Sequence, residues 1–192
     1  LDEALRARRI PTVLLNVSSR SPYRQIVPDD RGGADLATRH LLELGHERIA
    51  FLRSDESVNH FSATERIAGF RAAMAGAGQG RKARVLATAP ARFAADVARN
   101  ARRPTAVLAY SDSEAIRLLR ALYEAGVRVP EDVSVVAFND LYPAEDLIPP
   151  LTTVAVPFRE IAEAGADAIV AMLAGDAVSA REVTVLPERL VV

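Results

Sequence analysis

Residues 105–139 read TAVLAYSDSEAIRLLRALYEAGVRVPEDVSVVAFN. Two short apolar runs, AVLAY and VSVVAF, flank a helical pattern that opens with the capping-box sequence Ser111-Asp-Ser-Glu114 and closes at Gly126. Short apolar runs of this kind are typical of strands that are buried on both faces, and a capping box before spaced apolar residues indicates a helix start. The stretch therefore predicts a strand, a helix and a parallel strand in succession.

The same alternation continues in both directions along the chain, which predicts an α/β fold with parallel sheets. We expect the strands at Thr12–Val17, Gln25–Val27, Arg48–Leu52, Arg84–Ala87, Thr105–Tyr110, Val133–Phe138, Thr152–Val156 and Arg181–Val185. We expect the helices near residues 31–44, 63–77, 92–100, 112–125 and 158–174. Asp29-Asp30 and Ser62-Ala-Thr-Glu65 are predicted to cap two of these helices, and Gly45 is predicted to end the first.

The composition excludes several classes of protein. The chain has 192 residues, 49% of them hydrophobic and 26% charged, which is a globular composition with room for one domain or two small lobes. No apolar run is long enough to span a membrane. Cysteine is absent and the three histidines form no metal-binding motif, so we expect no disulfide, no metal and no cofactor. The net charge of −1 shows no basic stripe of the kind that binds nucleic acid.

The N-terminal sequence LDEALRARRIP lacks the apolar core and cleavage site of a signal peptide. It is typical of the last turns of a helix that leads into a strand. We therefore expect that the chain begins partway through a larger protein.

Short polar side chains follow four of the predicted strands. Ligands of open parallel sheets bind beyond the carboxyl ends of the strands, where these amides, hydroxyls and carboxylates would meet. They could hydrogen-bond a polyhydroxylated or amide-rich small molecule. The alternative is that they are ordinary turn and cap residues. The residues are Asn16, Ser54, Asp55, Ser111, Asp112, Asn139 and Asp140.

Arg66 breaks a local rule. If Ser62 caps the helix, Arg66 lies in its first turns, where the helix dipole disfavours a cation. The guanidinium could instead donate a fork of hydrogen bonds to a ligand, or Arg66 could be a surface residue paired with Glu65 or a nearby aspartate. Phe61 and Phe158, at two predicted helix starts, could stack on a sugar or a base, or simply pack in the core.

The sequence disfavours an enzyme. It contains no GxSxG motif, no phosphate-binding GxxxxGK[ST] loop and no GxGxxG after a strand. The acidic and amide pairs Asp29-Asp30 and Asn139-Asp140 have no histidine or lysine beside them that could complete an acid–base site. We therefore expect a binding protein without catalytic residues.

Five strings, in this order and spacing, resemble the effector-binding core of the LacI/GalR family of bacterial transcription regulators. The resemblance runs from about Ile10 to Val192, and the closing LPERLVV resembles that family's final strand. The five strings are HLLELGHERIAFL, SATERIAGFRAAM, PTAVLAYSDSEAI, LYEAGVRVPEDVSVVAFND and IPPLTTVAVPFREIAEAGA.

The resemblance implies the periplasmic-binding-protein-like type I fold, which has two doubly wound parallel-sheet lobes joined by three crossovers. It assigns residues 1–28 and 156–187 to a partial N-terminal lobe, and residues 29–155 and 188–192 to the C-terminal lobe. Family members carry a helix-turn-helix DNA-binding domain and a hinge helix ahead of this core. We expect both to be absent from this chain, together with the first strand–helix units of the N-terminal lobe and part of the ligand cleft.

The resemblance also places residues at family positions that contact the effector. Asn16 stands at a ligand-contacting Asp or Asn, Arg66 at the effector-binding Arg, Ser111 at a frequent Asn, Asn139 at a ligand-contacting Asp and Phe158 at a stacking aromatic. His60 and Ser62 lie where some members contact the effector, and Phe61 stands between them. Asn16 and Asn139 replace carboxylates of some sugar-binding members, so this site is less anionic than theirs, and Ser111 is shorter than the frequent Asn.

The function implied is that of a cytoplasmic effector-sensing and dimerisation core that binds a small polar ligand, expected to be a sugar, between two lobes. The ligand would shift the population of lobe arrangements. Operator DNA would be bound only through the missing upstream domain. Homodimer surfaces are expected at Ser113–Leu122 and Leu141–Pro149. The alternative is an extracytoplasmic sugar-binding protein of a transport system, although the strings VPEDVSVVAFND and PPLTTV favour the regulator.

Overall fold

The computed structural model describes residues 2–8, 10–18, 22–53, 60–100, 102–141, 144–175 and 181–192. It confirms the predicted α/β class with parallel sheets, and the predicted strands and helices are present with ends that shift by at most two residues. The strands are β1 (Val13–Leu15), β2 (Arg24–Pro28), β3 (Ile49–Arg53), β4 (Arg84–Ala87), β5 (Ala106–Ala109), β6 (Ser134–Asn139), β7 (Thr152–Ala155), β8 (Val183–Leu186) and β9 (Arg189–Val191). The helices are α1 (Asp2–Ala7), α2 (Asp30–Glu43), α3 (Phe61–Gly76), α4 (Pro90–Arg99), α5 (Asp112–Glu124) and α6 (Phe158–Ala174).

The chain separates into two compact units. Unit 1 consists of Leu1–Asp29 and Pro157–Pro187, and unit 2 consists of Asp30–Val156 and Glu188–Val192. The backbone therefore passes between the units three times. The assignment of unit 1 to the partial N-terminal lobe of the LacI/GalR core, and of unit 2 to its C-terminal lobe, stays a prediction from the resemblance.

Unit 1 contains a three-stranded parallel sheet in the order β1-β2-β8. Helix α6 packs against β1 and β2. The approach is close at Gly165, where an added Cβ would lie 2.7 Å from Cδ2 of Leu15. Only a residue without a side chain lets α6 come this near to β1.

Unit 2 contains a six-stranded sheet in the order β4-β3-β5-β6-β7-β9, in which only the final strand, β9, runs antiparallel to its neighbour. The chain moves from β3 outward to β4, and then returns to the other side of β3 to form β5 and the strands that follow. The strand order thus reverses between β3 and β5. In open α/β sheets, ligands bind in the crevice beyond the carboxyl ends of the strands at such a reversal.

Both faces of the sheet in unit 2 are buried, and alternate strand residues supply the two cores. Phe51 and Leu108 point to one face, where they pack with Leu41 of α2 and with Phe70 and Met74 of α3. The other core combines α4 and α5 with the intervening strand residues. That core includes Ala50, Leu52, Val107, Ala109, Phe93, Val97, Leu118 and Leu122.

The helix ends confirm some of the predicted caps. Gly45 has φ +88° and donates its N–H to the carbonyl of Leu42, while His46 N–H reaches the carbonyl of Leu41, which completes a Schellman motif. Ser111 caps α5 by accepting the N–H of Glu114 at 3.3 Å. The predicted Ser62 cap is wrong, because α3 begins at Phe61 and no side chain caps it.

Candidate functional site

Side chains from three loops meet at the carboxyl ends of the strands in unit 2. Helix α3 follows β3, Tyr110 follows β5, and Asn139 ends β6. These elements flank the place where the strand order reverses, which is the favoured ligand position in this kind of sheet. The site is built around Arg66, which α3 carries into this region.

The guanidinium of Arg66 is buried and bonds to three different elements. Its Nε donates to Asp30 Oδ1 at 2.7 Å, Nη1 to the backbone carbonyl of Tyr110 at 2.7 Å, and Nη2 to Asn139 Oδ1 at 3.2 Å. A guanidinium has five N–H donors. Two of them, one on each Nη, therefore make no hydrogen bond within the part of the chain that the structure describes.

Aromatic rings surround the same guanidinium. Its carbon lies 4.2 Å from the ring centroid of Phe138 and 5.1 Å from that of Tyr110. A cation at this distance from a ring face is attracted by the ring quadrupole. Since Asp30 supplies one negative charge beside one positive charge, Arg66 and Asp30 together are close to neutral. A site of this kind suits an uncharged polar ligand better than a strongly charged one.

The hydroxyl of Tyr110 connects the start of α3 to the end of β5. It hydrogen-bonds with His60 Nδ1 at 2.9 Å and with Ser62 Oγ at 2.8 Å. This contact also explains why Ser62 does not cap α3, because its hydroxyl is engaged across the site. Phe61 is 48% exposed, so the core-packing alternative for this residue is wrong.

Asn139 and Asp140 lie in a strained backbone, with φ values of +108° and +55°. Non-glycine residues adopt this region rarely, and such strain is concentrated at functional sites. The buried carboxylate of Asp112 supports the turn, since Oδ2 accepts the N–H of Leu141 at 3.0 Å and Oδ1 accepts the Thr153 hydroxyl at 2.7 Å. Burial raises the pKa of Asp112.

Ser111 lies next to this cluster and is buried. Its Oγ accepts the Glu114 N–H and lies 3.1 Å from Ser113 Oγ. Capping of α5 therefore occupies part of its hydrogen-bonding capacity, and the hydroxyl retains the ability to donate to a second acceptor.

The remaining predicted residues belong to unit 1 or lie outside the described residues. Asn16 is exposed, has φ +54°, and donates its backbone N–H to the carbonyl of Ile26. Phe158 is the first residue of α6 and is half-buried. Ser54 and Asp55 lie outside the described residues.

Three residues of this cluster were not predicted as site residues: Asp30, Tyr110 and Thr153. Asp30 was expected to cap α2, and Tyr110 only to end a strand. The alternative for Arg66 is wrong in placing the side chain at the surface, because it is buried, but the expected ion pair with an aspartate is present, with Asp30. The sequence did contain a signal for a partner such as Asp30: a cation near a helix start is disfavoured by the helix dipole, so a compensating carboxylate is expected beside Arg66.

The described residues contain no group of three or more His, Cys, Asp or Glu side chains that could hold a metal ion. Within those residues, no helix has both the length and the apolar character that crossing a bilayer requires.

A family model described as a periplasmic binding protein-like domain matches residues 38–192. The chain belongs to this family. Among its relatives are the HTH-type transcriptional repressor PurR of Vibrio atlanticus, which is 33% identical over 165 residues, and the lactose operon repressor of Escherichia coli, which is 30% identical over 190 residues. These relatives confirm that this periplasmic binding protein-like chain resembles the LacI/GalR regulators.

The alignments cover 79% and 95% of this chain but 47% and 51% of the two repressors. The chain thus spans about half the length of the curated relatives that it matches. Solved structures of LacI family regulators share its fold. One from Enterococcus faecium with bound ribose is 28% identical, has a TM-score of 0.87 and matches 100% of this chain and 72% of its own. Another, from Enterococcus faecalis V583 with bound ribose, is 25% identical, has a TM-score of 0.86 and matches 100% of this chain and 70% of its own.

Proposed function

We propose that the chain is the effector-sensing core of a LacI/GalR-type transcription regulator and that its effector is a carbohydrate. The observation that supports this most directly is the buried Arg66 guanidinium, which is held by Asp30, Tyr110 and Asn139 and has two N–H donors without a partner among the described residues. A guanidinium presents its donors in a fixed planar fork, and such donors can bond to sugar hydroxyl oxygens. No catalytic role is proposed.

The family resemblance assigns effector contacts to residues in each of the two units. In unit 2 these are Arg66, Asn139, Ser111 and the segment His60–Ser62, with Phe61 offering an exposed ring to an apolar sugar face. In unit 1 they are Asn16 and Phe158. The near-neutral pair of Arg66 and Asp30, and the two relatives whose structures contain ribose, support a neutral sugar.

The proposed mechanism is a shift between two arrangements of the lobes. A ligand that contacts both lobes binds one arrangement more tightly and therefore increases its population. In the complete protein, the N-terminal lobe would transmit this change to an upstream DNA-binding domain that contacts the operator. The protein would act in the cytoplasm as a homodimer.

Calorimetric titration of the complete protein with D-ribose, D-xylose, D-galactose and lactose tests the ligand class. We expect saturable binding of at least one sugar, and an Arg66→Lys variant that binds it at least about tenfold more weakly, because lysine keeps the charge beside Asp30 but lacks the planar fork. Arg39→Lys, on the exposed surface of α2, is the matched control. Absence of sugar binding would overturn the carbohydrate assignment, and equal affinity of the Arg66→Lys variant would overturn the role of Arg66.

The dimer surface can be tested at the Leu141–Pro149 segment. Ile148 is 97% exposed and Leu141 is also exposed, so the apolar surface of a partner could cover both side chains. We expect Ile148→Asp to shift the protein from dimer to monomer in sedimentation velocity, whereas Leu44→Asp, on another exposed apolar residue, leaves the dimer intact. A chain that sediments as a monomer without substitution contradicts the dimer.

The sequence of the gene upstream of Leu1 distinguishes the regulator from the alternative, an extracytoplasmic transport protein. A helix-turn-helix domain there supports the regulator. A signal peptide there contradicts it.

A further inference from the structure

A second concave surface of unit 2 lies along the open edge of β4. It is a cavity of about 1040 Å³ between β4, α4, the short helical turn Gly80–Lys82 and the segments that lead into β3 and β5. Because β4 is the outermost strand of its sheet, no other strand covers this side within the described residues. We name this surface the β4 cavity.

The charge of the β4 cavity differs sharply from that of the chain. Eight basic side chains and one acidic side chain, Asp96, line it, although the chain as a whole has a net charge of −1. Arginine and lysine in such excess around one concavity focus a positive potential that attracts anions. Val85, Phe93 and Val97 also line it, but Phe93 and Val97 are almost wholly buried and offer little apolar surface.

Two of the arginines are held in position by backbone groups. Arg48 Nε donates to the carbonyl of Arg103 at 3.0 Å, and Arg103 reaches the carbonyl of Val97 and Asp132 at 3.4 Å. Asp132 has a closer ion pair with Arg128, at 2.9 Å. The Asp132 carboxylate is thus shared by two arginines, so it balances only part of the positive charge of Arg103.

Five further arginines of the cavity form no ion pair within the described part of the chain: Arg81, Arg84, Arg92, Arg99 and Arg102. All five are exposed. Arg92 and Arg99 are seven residues apart on α4 and therefore share one helix face. Unbalanced cations that converge in this way repel each other, and an anion bound among them would relieve the repulsion.

The β4 cavity is separate from the Arg66 site. Arg48, Arg84 and Arg103 stand at the amino ends of β3, β4 and β5, whereas Tyr110 and Asn139 stand at the carboxyl ends of their strands. Parallel strands place these two sets at opposite edges of the sheet.

We propose that the β4 cavity binds a small molecule that carries two or more phosphate groups. Guanidinium groups bind phosphate oxygens through pairs of parallel hydrogen bonds, and the arginines spread around this cavity can engage more than one phosphate. The volume is slightly above the usual range of small-molecule pockets.

Titration calorimetry with sodium tripolyphosphate and with ATP at about physiological salt tests the proposal. We expect saturable binding of both at one site per chain, and inorganic phosphate should bind at least about tenfold more weakly because it engages fewer arginines. The double variant R84Q/R92Q should weaken tripolyphosphate binding at least about tenfold, and R99Q/R102Q, which changes two other exposed arginines of the cavity, should weaken it by a similar factor.

Arg71→Gln is the matched control, since Arg71 is exposed on α3 and lies outside the cavity. Its affinity for tripolyphosphate should change less than twofold. An equal loss in this control would show attraction by overall charge and would overturn the site. Absence of saturable binding, or tight binding of a random-sequence DNA duplex that tripolyphosphate does not displace, would also overturn it.

Discussion

The side chains of Arg66 and Asp30 form an ion pair in which Nε donates to Oδ1 at 2.7 Å, and only 5% of each side chain is exposed. The pair links α3 to the start of α2 across 36 residues of sequence. A charge buried this deeply is tolerated because its counter-charge is present. The pair is therefore a structural support of the site as well as a part of it.

Arg66→Ala should lower the free energy of unfolding by about 3–5 kcal/mol, because Asp30 keeps a buried negative charge after the guanidinium is removed. Urea unfolding at neutral pH measures this loss. Arg39→Ala is the control, since it breaks the exposed ion pair with Asp35 on α2 and should change stability little. Similar small losses for both variants would contradict the structural role of the buried pair.

Removal of one hydroxyl tests the link between β5 and α3. Tyr110→Phe eliminates the hydrogen bonds with His60 and Ser62 and should cost about 1 kcal/mol of unfolding free energy. Tyr123→Phe removes a hydroxyl from a side chain that is 85% exposed, so its midpoint in chemical unfolding should stay unchanged. Equal midpoints for the two variants would show that the Tyr110 contacts add no stability.

The alternation of strands and helices could be predicted because it depends on local periodicity, as residues 105–139 show. The partner of Arg66 could not, because the chain has many acidic residues and only the packing of α2 against α3 selects Asp30. Ser62 shows the same limit. Its sequence matches the capping-box pattern, yet the hydroxyl forms a tertiary hydrogen bond with Tyr110 and does not cap the helix.

The net charge of the chain could not predict the β4 cavity, because this cluster of arginines also depends on tertiary structure. Its arginines come from the segments before β3 and β5, from β4 and from α4, which are spread over more than 50 residues. They converge only because β4 and β5 lie on opposite sides of β3. An average over the whole chain cannot show a cluster that the strand order creates.

Two glycines of α3 should respond to alanine in opposite directions. At Gly69 an added Cβ would lie 2.1 Å from the carbonyl oxygen of Arg31 on α2, so Gly69→Ala should destabilise by about 1–3 kcal/mol. At Gly76 nothing lies within 4 Å, and Gly76→Ala should stabilise by up to about 1 kcal/mol. Thermal unfolding of both variants measures the difference, and a stabilising Gly69→Ala would contradict the close crossing of α2 and α3.

The pH dependence of stability should reveal the burial of Asp112. Burial raises its pKa above the ordinary value of 3.8, despite the hydrogen bonds from Thr153 and Leu141 that oppose the shift. The folded state therefore binds this proton more tightly than the unfolded state. The stability contributed by Asp112 is complete below the unfolded pKa and is lost as the pH rises through the raised pKa.

Asp132 supplies the opposite case, because hydrogen bonds from Arg128 lower its pKa to about 2. Its contribution is present above the ordinary value of 3.8 and is lost as the pH falls toward about 2. We expect urea unfolding between about pH 3 and pH 6 to show that the stability contributions of Asp112 and Asp132 change with pH in opposite directions. The free-energy difference between the unsubstituted protein and Asp112→Asn should fall with rising pH, and the difference for Asp132→Asn should rise. Slopes of the same sign would mean that hydrogen bonding outweighs burial at Asp112.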